Sequence, residues 1–460
     1  MLTRLRFKNF KAWPDSGDIR FAPLTVLFGT NSAGKTSIPQ LLLMMKQTAA
    51  SPDRQRALHL GDSRSLVDLG AYDDIVHGHD VRRPLEIEID WTSAEPLVIG
   101  DTRSGEPSAR DRFSFRVEIV GDRRRQPAVR SFRYEVSGSD APALDFEMRR
   151  RREGKTFELR SSRYPLVRHP GRPSALPKPE RFYGFPDEAR ACYQNTAFLS
   201  DLVLALEKQL GSIYYVGPLR DYPSRLYLWS GEIPEHVGIK GEKAVEAILA
   251  AEDRGFSLKP RERTRSLAEL VADRLRAMGL IREFRVSPIS KHRKEYEVLV
   301  RTGPRTPEVK LTDVGFGVSQ VLPVVVESFY VPPRSVVIFE QPEIHLHPRV
   351  QAELADLFID ALRAREDGKP RECQFIIESH SEHFLRRLQR RIAEQEISEE
   401  STALYFAHTE NGRARLEALD LDRFGNIRNW PQGFFGDEME DLVARTRAQA
   451  KRMAGGEAEP

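Results

Sequence analysis

Cysteine is nearly missing. Cys192 and Cys373 are the two in 460 residues, far apart and without CxxC spacing, which excludes both a disulfide framework and a thiolate zinc site. No apolar run approaches the roughly 18 to 20 residues of a membrane span, and the mean hydropathy is -0.49. The opening Met1-Leu2-Thr3-Arg4-Leu5-Arg6-Phe7 alternates apolar with polar residues, which suits a first strand and not the continuous apolar core of a secretion signal. Together these features predict a cytoplasmic chain with no membrane partner. Charge of one sign is not in excess either. Seventy-one basic and 68 acidic residues leave +3, short of the bias that would by itself argue for nucleic acid. Internal repeats are missing, as are heptads long enough for a coiled coil. The charge is instead clustered locally, at Arg123-Arg124-Arg125, at Arg149-Arg150-Arg151-Arg152, and at Arg386, Arg387, Arg390 and Arg391. Each cluster could meet phosphates, although such runs are most often solvated faces.

Three kinds of pattern follow one another. Leu24-Thr25-Val26-Leu27-Phe28 is a short apolar run ending in glycine, and the Leu- and Met-rich segment after Gly34 has the length of a buried helix through Lys46. From Leu85 to about Leu159, alternating stretches separated by Gly, Pro, Ser and Asp predict an antiparallel sheet. Proline-rich residues 164–187 read as an irregular connector, and a helix is expected from about Glu188 to Leu210. From Ser335 the pattern becomes strand and helix in alternation: Val336 to Phe339, a helix after Pro348, Gln374 to Ile377, a helix after Ser381, and Ala403 to Phe406. Leu354, Leu357, Phe358, Ala361 and Leu362 make one apolar helical stripe, with Gly368 as punctuation past its end.

Gly29-Thr30-Asn31-Ser32-Ala33-Gly34-Lys35-Thr36 matches GxxxxGK[ST] and sits between an apolar strand and a helix, where phosphate binding requires it. The glycines let backbone N–H groups point at phosphates, Lys35 supplies a point charge to the β and γ groups, and Thr36 offers an oxygen to Mg²⁺. The alternative, a bare glycine-rich turn, does not explain this context. Val336-Val337-Ile338-Phe339-Glu340 delivers an acid at the end of an apolar strand, as a Walker B strand does, although an acid there is often only a helix cap. His345 and His347 have no third ligand at metal spacing. His380 ends another apolar strand and is placed either to meet a γ-phosphate or to cap the next helix. Gly315 and Gly317 precede an apolar segment and offer a helix N-terminus to an anion, a weak signal alone.

In chain order these segments resemble the ABC-type ATPase heads of the SMC, RecF and overcoming-lysogenisation-defect (OLD) families, here without a nuclease domain. Arg4 to Lys11 is similar to their opening strand. The Glu-x-Pro-Glu-x-His-Leu-His-Pro run and Ser379-His380-Ser381 are similar to their Walker B with D-loop and their switch histidine, and Gly315 to Gln320 to their signature loop. The resemblance implies an α/β fold: a P-loop ABC-type ATPase head with antiparallel β-rich and helical insertions between Walker A and Walker B. Its parts would be residues 1–84 with the P-loop, an insertion at 85–210, a lobe junction with the signature at 211–334, the Walker B half at 335–410, and a tail module at 411–460. ATP would contact Gly29, Asn31, Ser32, Ala33, Gly34, Lys35, Thr36 and Ser37, with Thr36 and Glu340 on Mg²⁺. Glu340, Gln341, Glu343 and His380 would carry the chemistry. Gly315, Gly317, Ser319 and Gln320 would face the ATP of a second head in a homodimer or higher homo-oligomer. Tyr214 to Arg220 is similar to the strand linking the lobes, with Arg220 either near the nucleotide or simply on the surface. The tail, Asp422 to Pro431 with Gly433-Phe434-Phe435, is similar to an uncharacterised module on prokaryotic ATPases.

Two departures stand out. Gln341 occupies the position of the water-activating glutamate, and an amide cannot accept that proton. Gly315 replaces the signature serine. Hydrolysis is therefore expected to be slow: either Glu343, two residues on, substitutes as the base, or the head binds ATP as a slow switch. The expected role is a regulatory ATPase gating a separately encoded effector in prokaryotic anti-phage defence, as in Septu-like systems. The alternative is a DNA-binding repair or recombination ATPase of RecF or SMC type. A transporter motor is disfavoured because P-loop and Walker B lie about 300 residues apart, against roughly 100 to 150 residues for a whole compact domain.

Overall fold

Continuous apolar runs and alternating ones sort the strands into two main sheets. The computed structural model describes residues 1–100, 107–139, 141–152, 156–172, 175–290, 293–431 and 443–450. The alternating strands are β1 (Leu2–Phe10), β2 (Leu85–Gly100), β3 (Pro107–Gly121), β4 (Pro127–Ser137), β5 (Leu144–Arg150) and β6 (Phe157–Arg160). With the short strands Trp13–Asp15 and Ile19–Arg20 they form one eight-stranded antiparallel sheet. Along the start of β2, Leu85, Ile87, Ile89 and Trp91 are buried, and the residues between them are partly exposed. The outward face is laced by cross-strand ion pairs, Arg4 to Glu88 at 3.0 Å, Lys8 to Glu86 at 3.2 Å and Arg116 to Glu86 at 2.9 Å. One face is thus wet and one dry, the usual state of an antiparallel sheet. The strands of 85–160 continue the sheet that β1 begins, through direct pairing of β1 with β2.

The continuous runs make the second sheet. Its order is β7 (Ile213–Val216), β9 (Val336–Glu340), β10 (Gln374–Glu378), β8 (Leu24–Gly29, placed by sequence before β2), β11 (Thr402–Glu410) and β12 (Arg413–Ala418). All neighbours are parallel except the closing β11–β12 hairpin. Every residue of β8 and β10 is buried, as expected for strands covered on both faces. On one side helix α1 (Ser37–Ala50) lies between the two sheets, and its Ile38, Leu41, Leu42, Leu43, Met44 and Met45 are buried almost all round. The other side is covered by α2 (Phe316–Tyr330), α3 (Pro348–Arg363) and α4 (Glu382–Ala393), with Phe339, Phe358, Phe375 and Phe384 in ring contact.

The expected helix over 188–210 is in fact two, Asp187–Cys192 and Leu199–Gly211. Gln194 and Asn195 break it by turning back to Val167 and Pro165 of the connector, whose described residues before Asp187 form no regular helix. Gly368 does not punctuate a helix. α3 ends at Arg363, and Asp367-Gly368, both at positive φ, turn a tight hairpin between Arg365–Glu366 and Lys369–Pro370.

That hairpin carries Arg371, a wholly buried arginine that donates to the carbonyls of Ser328, at 3.0 Å, and Val331 at the C-terminus of α2. Arg254 reinforces it, donating to the Tyr330 carbonyl at 2.7 Å and pairing with Glu366 at 2.7 Å. Cations there satisfy orphan carbonyls and complement the helix dipole. Replacing Arg371 by Leu leaves buried acceptors unpaired and is expected to cost about 3–5 kcal/mol, read as a lower urea midpoint. Loss of the exposed Arg334 to Glu372 pair, at 2.8 Å, should cost less than about 1 kcal/mol.

Candidate nucleotide and metal site

Four parallel strands end at one edge, and each hands over a polar group. β8 runs into the loop 29–36. Gly29 adopts φ +144°, and a Cβ there would lie 2.0 Å from the Ala407 carbonyl of the neighbouring strand, so no other residue fits. Ser32 and Gly34 are also at positive φ, and Trp13 Nε1 clamps the loop by donating to the Gly34 carbonyl at 3.1 Å. Asn31 and Ser32 are exposed at the tip, while Ala33 and Ser37 are buried. The Lys35 ammonium is drawn into the loop, donating to the carbonyls of Gly29 (3.0 Å) and Thr30 (2.7 Å). Burial lowers its pKa, against the pull of Glu378 and Glu343.

β9 and β10 pair so that Glu340 lies directly opposite Glu378. The Tyr215 hydroxyl, at the end of β7, donates to Glu340 Oε2 at 2.5 Å. Thr36 Oγ1 donates to Glu378 Oε1 at 3.1 Å. Beyond Glu340 the chain turns through Gln341 at φ +46°, whose N–H donates to the Glu378 carbonyl at 2.8 Å. Glu343 is buried, and its Oε1 accepts the His380 N–H at 2.5 Å. Burial raises the pKa of Glu340 and of Glu343, and it lowers that of His380, with Lys35 adding to the latter. Arg220 is no surface residue. It is buried beside the acids, with Nη2 3.4 Å from the Gln341 carbonyl, and burial takes its pKa down to about 10.

The loop 29–37, Glu340, Gln341, Glu343 and His380 are thus brought to one edge. Two residues of that edge escaped sequence reasoning, Glu378 and Tyr215. The signal for Glu378 was available, since it is the charged end of an otherwise apolar buried strand, but the neighbouring histidine drew the reading. The signature-like segment behaves differently. Gly315 is exposed at the start of α2 and Gly317 lies beside Leu346, whereas Ser319 and Gln320 are buried against their own head. His347 caps α3, its Nδ1 accepting the Arg349 N–H at 3.3 Å. Gly433, Phe434 and Phe435 of the tail lie outside the described residues.

Residues 262–385 match the family model described as AAA ATPase domain. They include β9, β10 and the start of α4, while the loop 29–36 lies outside the match. Residues 397–444 match a family model described as a protein of unknown function, DUF3696. A search of curated proteins finds no match. Solved structures similar to the chain include an SMC head bound to the C-winged helix domain of ScpA. It has 11% identity, covering 92% of this chain and 98% of that one, with a TM-score of 0.41. The SMC head domain from Thermotoga maritima gives 11% identity, 91% and 99% coverage and 0.40. A Pyrococcus furiosus SMC head with an extended coiled coil, bound to the C-terminal domain of ScpA, gives 10%, 97%, 99% and 0.41. Residues 262–385 are thus similar to an AAA ATPase domain, the described chain has a mixed α/β fold, and no described helix is long and apolar enough to cross a membrane.

The residues present fit Mg²⁺ and ATP. The loop offers its N–H groups and Lys35 to phosphates, and Glu343 Oε2 and Glu378 Oε2 are buried oxygens with no hydrogen-bond partner. No group of three or more His, Cys, Asp or Glu able to hold a metal occurs among the described residues. Mg²⁺ needs no such cage, since it is commonly held by one or two carboxylates plus phosphates.

Burial, and then Glu340, push Glu378 up from 4.5 to about 7. Between about pH 4.5 and 7 the folded chain therefore keeps a proton that the unfolded chain has released. This contribution to stability is full below that window and is lost as pH rises through it, a span of roughly 3 kcal/mol. The thermal midpoint of the nucleotide-free chain should fall from pH 5 to pH 8, and Glu378→Gln should flatten that fall.

Proposed function

We propose that this ATPase is a slow nucleotide switch that gates a separately encoded effector, in the setting of prokaryotic anti-phage defence. The observation that carries the reading is the single polar edge at which Lys35, Thr36, Glu340 and His380 meet, with glutamine following the Walker B acid. Mg²⁺ at Thr36 and Glu340 would offset charge on the β and γ phosphates. Lys35 binds those phosphates, and a neutral His380 donates to the γ group. Glu343 takes the proton from water, a task closed to Gln341. Its carboxylate is already held in place by the His380 N–H. ATP is proposed to lie between two copies of the chain, with Gly315 and Gly317 of the second copy offering N–H groups to it.

The effector role rests on what surrounds this edge. Asp420-Leu421-Asp422 sets two acids two residues apart, as a second metal site would, but Asp422 is occupied in a turn, accepting the N–H groups of Phe424 and Asn426 at 2.9 Å each. Phe424 and Trp430 of the tail are exposed, a surface suited to a protein partner. A second reading, a DNA-binding repair ATPase, is favoured by one feature. Arg130, Arg149, Arg150, Arg151, Arg152 and Arg160 line a concavity of about 710 Å³ on the antiparallel sheet.

Lys35→Ala should abolish calorimetric binding of Mg²⁺·ATP. Tagged native chain in its host should retain an effector protein differently in ATP and ADP, and the Lys35→Ala chain should lose that difference. Recovery of salt-sensitive DNA in place of a protein would favour the second reading.

Turnover should be about 0.1 per second or slower, some 10² below a typical enzyme, because base assistance is worth 10² to 10⁴. Glu343→Gln should remove most of what remains while leaving Mg²⁺·ATP affinity unchanged. A native rate of tens per second, indifferent to that substitution, would overturn this assignment.

A further inference from the structure

The acid turned toward the Thr36 hydroxyl is Glu378, not Glu340. Glu378 is 2% exposed, and its two oxygens differ: Oε1 accepts from Thr36 at 3.1 Å, while Oε2 is buried with no hydrogen-bond partner. A buried carboxylate oxygen with no partner is costly unless something positive meets it. Neither cation beside this edge hydrogen-bonds to Glu378, although Arg220 Nε and Nη1 are themselves buried without a partner. Lys35 donates to the carbonyls of Gly29 and Thr30, and Arg220 to that of Gln341. Glu340 aggravates the problem, because it is the register partner of Glu378 across the parallel strands. Tyr215 satisfies one oxygen of Glu340 but brings no charge.

We propose that Glu378 is a second carboxylate of the divalent-cation site, acting with Thr36 and Glu340. This rests on the reading of the 29–36 loop and its neighbouring acids as a Mg²⁺·ATP site. The hydrogen bond from Thr36 has the right sense. A hydroxyl that gives its proton to Glu378 keeps its lone pairs for a cation, so one carboxylate both orients the neutral ligand and supplies negative charge. Two carboxylates, one hydroxyl and phosphate oxygens make an all-oxygen set suited to Mg²⁺ or Mn²⁺. Glu343 also keeps one buried oxygen without a partner, but its other oxygen accepts the His380 N–H, whereas Glu378 is the acid that takes the Thr36 hydroxyl.

The probe is Mn²⁺, with free ion counted by electron paramagnetic resonance in the presence of a non-hydrolysable ATP analogue and the full chain. Glu378→Gln should weaken Mn²⁺ binding tenfold or more and leave metal-free nucleotide affinity within twofold of native. Glu378→Asp, which keeps the charge on a shorter arm, should recover part of the loss. Glu372→Gln, at an exposed acid paired with Arg334, should bind Mn²⁺ as the native chain does. Native Mn²⁺ affinity in a folded Glu378→Gln chain overturns the proposal while leaving the nucleotide site standing. So does equal loss in the Gln and Asp variants, which would mark a packing role. A native chain that binds no nucleotide, with or without Mn²⁺, overturns the site reading itself and this inference with it.

Discussion

The parallel pairing of Val336–Glu340 with Gln374–Glu378, in unshifted register, is the constraint on which the rest depends. It sets two acids side by side at the strand ends. β8, the next strand, brings Thr36 to within a hydrogen bond of the nearer acid. A one-residue slip of β10 would turn Glu378 to the other face of the sheet and set Ile377 or Ser379 opposite Glu340. The register is protected by what flanks it. All five residues of β10 are buried, and Gln374 at its start is pinned by donating to the carbonyls of Leu2, at 3.0 Å, and Ala22, at 2.9 Å. The antiparallel sheet thus helps align the acids it never touches, because Leu2 belongs to its first strand.

The edge so built is electrostatically unfinished. Glu340, Glu343 and Glu378 carry three negative charges when ionised, and Lys35 and Arg220 supply two positive ones. The net −1 sits in a place where burial opposes every one of these charges. Such a cluster is poor as a stabilising core, since taking ions from water costs more than pairing returns unless the geometry is complete. Its retention is understandable as a binding site, where a divalent cation and a polyanion arrive together and supply the missing counter-charges.

Much of this was legible in the sequence because it depends on local pattern. GxxxxGK[ST] after an apolar run, an acid after Val336-Val337-Ile338-Phe339, and alternation from Leu85 onward are each signals spanning a few residues, and each element formed where expected. The failures come from long-range contact. Gln194 and Asn195 interrupt a helical stretch because their partners lie in the 164–187 connector, which no periodicity announces. Arg220 stays undecided between nucleotide and surface until β7 is placed beside β9, and the burial of Ser319 and Gln320 shows only once α2 is placed. Glu378 is legible as the charged end of an apolar strand, but its role is not. Its importance lies in facing Thr36 and Glu340, which are 342 and 38 positions away.

How such an edge could report its nucleotide state follows from the bonds around His380. The histidine's N–H is fixed to Glu343, Gln341 is fixed to the Glu378 carbonyl, and Arg220 is fixed to Gln341. A γ-phosphate drawn to the His380 ring therefore pulls on the whole turn 341–347 and not on one side chain. The far end of that turn is Leu346, which packs beside Gly317 at the start of α2. The proposed contact with ATP in one copy and the proposed contact offered to the other are in this way joined by a short, mostly hydrogen-bonded path through a single turn. Only differential affinity for two arrangements can shift a partner's binding. The 341–347 turn, with Gln341 and His345 both at positive φ, is the segment in which a second arrangement would cost least, since strain held by a few hydrogen bonds is released when those bonds change partners.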